Sequence, residues 1–328
     1  MEKFSQFRDK GSGVSPFIPT TTPASALWSI VHVFIFLFRL PFFLSYVGFY
    51  FFFLHHLPLP VFLRKLLLWG VMGIPGIWWL DLQLDGVKRG SLSQQPASRV
   101  PHPHSVIAAN FTSPIDALYL AAVFDPIFTL GYPGTRKVRH VGLLRAMWAA
   151  LSGSQLTTSP ASPAGLTDLR ALLERYPDRV IAVFPECATT NGKGILPLSP
   201  SMLAVPTNVT IFPVSMRYTP PDITTPVPGA WTSFLWKLLS RPTHCIRIRI
   251  AEGMYNTSLA TNGVGVAAHH EIPTATTSEI PGGDEMTTAE ERRMLNRVAE
   301  ALARLGRAKR VGLSIQDKTA FVQAWGRK

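Results

Sequence analysis

The hydrophobic pattern divides the chain before any motif is considered. From Leu27 to Leu54 runs a stretch of 28 almost wholly apolar residues, broken by one charge, Arg39, and by His32. A helix rises about 1.5 Å per residue, so this run is long enough to cross a hydrocarbon core of roughly 30 Å. It exceeds the apolar part of a secretory signal, about 7–15 residues, and no small-residue cleavage site follows it. Residues 1–26 are polar and read as a mobile tail. A second apolar stretch, Leu66–Leu80, follows Arg64 and Lys65 and contains Gly70, Gly73, Pro75 and Gly76. It is too short to span, so it reads as a half-embedded helix or a lid on the next domain. Residues 27–80 together form one membrane-embedded helical region. Lys3, Arg8 and Lys10 lie before it, and Lys88, Arg89 and Arg99 after it, which favours both flanks on the cytosolic side. A re-entrant hairpin, bent near Pro41 or at His55–Pro60, satisfies that charge balance. A single span with Arg64 and Lys65 as its cytosolic flank fits as well.

From Asp81 the pattern becomes that of a globular domain, taken as residues 81–255. Ser105–Ala109 is a short apolar run, the signature of a buried strand. Thr112 or Ser113 is a candidate N-cap with Pro114 in the first turn, and Ala117, Leu118, Leu120, Ala121 and Ala122 give a helix. Leu166–Tyr176 reads as an amphipathic helix, and Arg179–Phe184, Val209–Met216 and Thr243–Ala251 as strands. Strands separated by helices indicate an α/β fold, with sites at the carboxyl ends of strands. Residues 256–287, rich in Thr, Gly, Ala and Pro, read as a flexible insertion. In the C-terminal helical region, 288–328, Thr287-Thr288-Ala289-Glu290-Glu291 offers a capping box. Met294, Leu295, Val298, Ala301, Leu302 and Leu305 then share one face, expected to dock on the domain, and Arg293, Arg297, Arg304 and Arg307 the other. Asp317, Phe321, Val322 and Trp325 are enough to anchor a last short helix.

Composition narrows the partners. Only 16% of residues are charged, below the usual share of about 25%, which disfavours a wholly soluble protein. The formal net charge is +12, which suits an anionic partner such as a phospholipid surface or a phosphorylated substrate. Nucleic acid fits poorly, because the basic residues are scattered and no recognition module is present. Two cysteines, Cys187 and Cys245, make no disulfide framework.

Two segments fall at expected carboxyl ends of strands. One is Asn110-Phe111-Thr112-Ser113-Pro114-Ile115-Asp116, and the other is Phe184-Pro185-Glu186-Cys187-Ala188-Thr189-Thr190-Asn191-Gly192-Lys193. Together with the apolar strand Val209-Thr210-Ile211-Phe212-Pro213-Val214, they resemble, in order and spacing, three blocks of the glycerolipid acyltransferases that include lysophosphatidic acid acyltransferases. The similarity covers about residues 60–255. The second block is poorly matched, with Gln155-Leu156-Thr157-Thr158 where an Arg is usual. The resemblance implies a mixed sheet flanked by helices behind an N-terminal membrane-embedded segment. It also implies transfer of an acyl group from acyl-CoA, a co-substrate, to a lysophospholipid, most simply lysophosphatidic acid. No cofactor and no metal are implied. Asn110 and Asp116 match catalytic positions; Phe111, Thr112, Ser113, Phe184, Pro185, Glu186, Thr189, Thr190, Asn191, Gly192 and Lys193 match the substrate-binding blocks. The Thr-Ser-Pro and Thr-Thr-Asn-Gly variants resemble fungal members at the endoplasmic reticulum and lipid droplets, with the globular domain facing the cytosol.

One departure is chemical. The family's general-base histidine stands where this chain has Phe111, which neither accepts nor donates a proton. His104, seven residues upstream along a strand, would lie over about 20 Å away. His140, in Lys137-Val138-Arg139-His140, is the sequence-compatible substitute, although a surface histidine in a basic loop describes it better. Asp116 itself could accept the proton, as a weak base if it keeps its reference pKa of about 3.9. Cys187 stands where the family has Gly and has no sequence-adjacent base to activate it. Arg136, Lys137, Arg139 and Arg145 could hold phosphate or CoA, or face anionic lipid. The alternative function is a membrane-bound lipid-binding scaffold or trafficking adaptor that has lost catalysis.

Overall fold

The computed structural model describes residues 2–22, 25–87, 91, 94–152, 165–258 and 287–326. In chain order the elements are α1 (Ala26–Phe52), α2 (Val61–Gly73), β1 (Ile77–Leu84), β2 (Val106–Ala109), α3 (Pro114–Phe124), β3 (Ile127–Gly131), β4 (Val138–Val141), α4 (Leu143–Ser152), β5 (Leu166–Thr167), α5 (Leu169–Arg175), β6 (Ile181–Val183), β7 (Gly194–Ile195), β8 (Thr210–Thr219), α6 (Trp231–Ser240), β9 (His244–Ile250), β10 (Met254–Tyr255), α7 (Ala289–Gly306), β11 (Lys309–Arg310) and α8 (Ile315–Gly326). The main sheet runs β1-β9-β8-β2-β6-β3-β4-β5, with β10 added to β8. It is mixed: β2 is parallel to both β6 and β8, whereas β8 and β9 are antiparallel.

Alternation along the central strands separates two layers of core. Ile107, Ala109, Ala182 and Phe184 enter the layer shared with α2, α3 and α4. Val106, Ala108, Ile181 and Val183 enter the layer shared with α5 and α7. β2 and β6 are buried on both faces, as continuous apolar runs in a parallel sheet require. On α7, Met294, Val298, Ala301, Leu302 and Leu305 are buried, so the helix docks on the domain as its pattern indicates. The Thr288–Glu291 capping box is present.

Helix α1 is long and apolar enough to cross a membrane, yet one flank is fastened to the domain between Phe36 and Phe51. Phe36 packs against Trp236 of α6 with the rings tilted and their centroids 4.9 Å apart. Arg39, the single charge in the helix, donates to the carbonyls of Pro75, Arg241 and Pro242 at 3.2, 2.6 and 2.9 Å. Tyr46 donates to Leu67 O, and Tyr50 and Phe51 are buried. Phe34, Phe38, Phe42 and Phe52 on the other flank are exposed. Pro41 lies inside α1, which runs on to Phe52, and the break between α1 and α2 spans His55–Pro60.

Several expectations need correction. Residues 2–22 are not a free tail. Phe4, Phe7 and Phe17 are buried against Phe321 of α8 and Leu196, a satellite core that scattered aromatics in a polar segment do not announce. Leu66–Leu80 is not one helix. The Gly73–Gly76 segment ends α2, and Ile77 already begins β1, so the sheet starts before Asp81. The second block, Gln155–Thr158, lies outside the described residues, as do residues 259–286 of the expected insertion. Asn256, at the start of that insertion, belongs to the domain. Its amide donates to Leu203 O and Val205 O.

Candidate active site

Because β2 and β6 are parallel neighbours, the segments leaving their carboxyl ends, 110–116 and 184–193, meet. Phe111 is where they are sewn together. Its N–H donates to Glu186 Oε1 at 3.3 Å, and its carbonyl accepts from Thr190 N at 3.0 Å. The ring of Phe111 is fully buried, 4.5 Å from that of Phe184. The position that would carry a proton acceptor therefore contributes an aromatic pair to the core. Asn110 extends the strand pairing through its side chain. Its Nδ2 donates to Met216 O at 2.9 Å, and its Oδ1 accepts from Met216 N at 2.8 Å. That is a positioning role.

Asp116 is at the third position of α3, in a reciprocal capping box with Ser113. Its Oδ2 accepts from Thr112 N, Thr112 Oγ1 and Ser113 N at 2.6, 3.0 and 2.9 Å. Its Oδ1 accepts from the hydroxyl of Tyr218 on β8. Burial pushes the carboxyl up to about 6 even against these four donors. Asp116 is thus a stronger proton acceptor than a solvated aspartate. Tyr218 is no base, since burial and the neighbouring carboxylate both raise its pKa.

Glu186 is fully buried, and its Oε2 accepts from Leu196 N at 3.1 Å. Desolvation raises it to about 8. Its electrostatic counterpart is Lys318 on α8, a residue that the sequence pattern did not single out. Lys318 is fully buried and donates to Thr189 O at 2.6 Å and Thr189 Oγ1 at 2.9 Å. Desolvation lowers its pKa to about 7, opposed by the charge of Glu186. Each member of this pair is pushed toward its neutral form by burial and pulled back by the other. Thr189 in turn donates to Thr225 O at 2.7 Å.

The loop is covered from outside. Asn191 Nδ2 donates to Ser15 O and Ile18 O, each at 2.8 Å, and Asn191 N to Pro16 O at 2.8 Å. β11 pairs with β7 just beyond Lys193. Pro185, Thr190 and Asn191 are buried, Gly192 is half-buried, and Lys193 is exposed. Gly192 has φ +75°, a conformation glycine takes without strain. Cys187 also has a positive φ, +54°, where a side chain is disfavoured. Its thiol is buried and pushed up to about 12 by desolvation, which ends its candidacy as a nucleophile.

His140 does not join this cluster. It follows Val138 by two residues on β4, so it shares the face that packs on α5, and its ring lies 5.9 Å from Tyr176. Phe111 and Tyr218 belong to the opposite face. The substitute-base assignment is therefore corrected. Arg136, from the basic cluster, is paired with Glu291 of α7 at 3.0 Å.

No protein-family model matches the chain, but it is similar to known proteins in sequence and in fold. Over 337 aligned residues, 100% of this chain and 99% of the other, it is 27% identical to a Schizosaccharomyces pombe protein named "Putative lysophosphatidic acid:oleoyl-CoA acyltransferase". It also aligns with the crystal structure of the 1-acyl-sn-glycerophosphate (LPA) acyltransferase PlsC from Thermotoga maritima. That alignment has 14% identity and a TM-score of 0.39, covering 85% of this chain and 97% of that one. A superposition so loose carries no argument about the site.

Proposed function

We propose that the protein is a membrane-associated acyltransferase that moves an acyl group from acyl-CoA to the free hydroxyl of lysophosphatidic acid. The observation that carries this reading is the junction of segments 110–116 and 184–193 at neighbouring parallel strands, with Asp116 and Glu186 beneath it. The full-length likeness to a protein named for the same reaction supports it. In the proposed step the acceptor oxygen attacks the thioester carbonyl. A C–O bond forms, the C–S bond breaks, and the hydroxyl proton ends on the departing thiolate. Asp116, raised to about 6, is the group in the cluster best suited to receive that proton in transit. Positioning supplies the remainder, worth up to about 7–11 kcal/mol when two reactants are held in line. Lys193 is already exposed, but Glu186 and the Thr189–Asn191 stretch are buried, so residues 15–18 and α8 must lift before an acceptor phosphate held by Lys193 reaches the loop amides.

The exposed flank of α1 is the proposed lipid contact. Trp78, Trp79, Trp148, Trp231 and Trp236 are exposed as well, and such side chains favour the headgroup level. A helix clamped to its own domain from Phe36 to Phe51 suits embedding in one leaflet better than perpendicular crossing. The endoplasmic reticulum membrane or lipid-droplet surface, with the domain in the cytosol, is the proposed location.

The second reading, a lipid-binding scaffold without catalysis, draws on the burial of Phe111 and the engagement of both Asp116 oxygens. Acyl-CoA assays on purified membranes with a panel of lysolipids separate the two. An enzyme gives acceptor-dependent product, and its Lys193→Ala variant a higher acceptor KM. Absence of product with every acceptor and donor selects the scaffold.

A further inference from the structure

The sheet face turned away from the candidate active site holds an arginine cluster that acyl transfer does not use. β8 and β9 are antiparallel, with Ser215 opposite Arg249 and Arg217 opposite Arg247. The residues alternating with them, Val214, Met216, Tyr218, Ile246, Ile248 and Ile250, enter the core on the other face. The four polar side chains therefore project to one side. The end of α7 adds Leu305 and Arg307, and these six residues line a single recess.

The charge balance of this recess is unfavourable as it stands. Like charges directly opposite on paired strands destabilise a sheet. Asp81 is an acidic neighbour of the cluster, its Oδ2 3.8 Å from Arg247 Nε. The nearby Asp85 is engaged by Arg304. Arg249 donates to Leu305 O at 3.3 Å, a neutral partner. Arg217 is held below its usual pKa by desolvation and then by Arg249, Arg247 and Arg307.

A second observation is independent of charge. Ser215 is 1% exposed, and its hydroxyl has no hydrogen-bond partner among the described residues. A buried hydroxyl without a partner is costly and calls for an acceptor. Gly306 keeps the approach open, since a Cβ there would stand 2.9 Å from Ser215 Oγ.

We propose that this recess binds a phosphoryl group. Guanidinium forks match phosphoryl oxygens in charge and geometry, and the Ser215 hydroxyl supplies a further donor. A dianion among Arg217, Arg247, Arg249 and Arg307 turns their mutual repulsion into shared attraction. The group can come from an anionic lipid headgroup or from a free phosphate in solution. The site lies on the sheet face opposite Asp116, and its existence does not rest on the acyl-transfer reading.

The test uses the full chain in neutral detergent micelles. Thermal unfolding is followed with inorganic phosphate, with short-chain dihexanoyl phosphatidic acid, with dihexanoyl phosphatidylcholine, and with chloride at matched ionic strength. Wild type is compared with Arg217→Gln, Arg307→Gln and Ser215→Ala. The melting temperature is expected to rise with phosphate or phosphatidic acid, beyond any effect of phosphatidylcholine or chloride. Apparent affinity should fall about tenfold or more in each Arg variant. Arg217→Gln should also raise the ligand-free melting temperature, because repulsion is relieved. A response to inorganic phosphate identifies a site for free phosphate; one confined to phosphatidic acid identifies a headgroup site. The proposal is overturned if neither ligand exceeds chloride, or if all three variants respond as wild type does. The latter result would place the ligand elsewhere, including at the candidate active site.

Discussion

Replacing Lys318 by Met removes a buried cation while keeping most of its stem volume, and its consequence depends on pH in a way the structure fixes. In the folded chain Lys318 gives up its proton near pH 7, because burial disfavours the ammonium. In the unfolded chain it holds the proton to about pH 10.4. Between those values the unfolded state binds one more proton than the folded state, so wild-type stability rises with pH by up to about 1.4 kcal/mol per unit. Lys318→Met lacks this contribution. Glu186 acts with the opposite sign. Its folded pKa near 8 lies above the unfolded value of about 4.3, so the folded state binds the extra proton and stability falls as pH rises through that window. Wild type relative to Lys318→Met should gain stability from about pH 7 to 10. Wild type relative to Glu186→Gln should lose it from about pH 4.5 to 8. At fixed pH, Lys318→Met also leaves the Thr189 carbonyl without its 2.6 Å donor, a cost of about 1–3 kcal/mol, partly offset by no longer burying an ammonium. Urea unfolding of the full chain in neutral detergent, repeated from pH 5 to 10, reads these slopes directly. Parallel curves for wild type and Lys318→Met would show that Lys318 is hydrated and that α8 is not seated on the loop.

Other expectations follow from the same contacts. Phe111→His should lower stability by about 2–4 kcal/mol in the same assay, through loss of the Phe184 pair and burial of an unpaired ring nitrogen; wild-type stability would mean the ring is not held in the apolar cluster. Phe17→Asp should loosen the N-terminal strap and increase protease cleavage within residues 2–22, and unchanged cleavage would detach Phe17 from the satellite core. Alkaline carbonate should leave the full chain in the membrane pellet, whereas quantitative release would contradict lipid contact by the exposed flank of α1.

Local signals made much of this legible. Ser113, one of two candidate caps, and Pro114 mark the start of α3, where Asp116 completes a capping box, and Thr288 with Glu291 marks the start of α7. Unbroken apolar runs mark β2 and β6, and parallel pairing of those two strands then brings together the segments that follow them. What escaped depends on distant packing. Phe4, Phe7 and Phe17 follow no helical or strand period, and they become core because α8 lies over them. Lys318 looks like a solvated lysine until its partner turns out to be Thr189, 129 positions earlier in the chain. Trp78 and Trp79 extend an apolar run that reads as helix, and pairing with β9 makes a strand of it. The pKa of Asp116 was equally invisible, since burial by elements far apart in sequence raises it.

The central claim is that the chain transfers acyl groups without a histidine at position 111, relying on Asp116. The direct measurement is oleoyl-CoA-dependent conversion of lysophosphatidic acid to phosphatidic acid by the purified full chain, set beside Asp116→Ala under identical lipid conditions. The account predicts enzyme- and time-dependent phosphatidic acid from wild type, and about a 10²-fold or greater loss in Asp116→Ala at unchanged membrane association. Wild-type product no greater than that of a protein-free control, or equal rates in the two proteins, would contradict it.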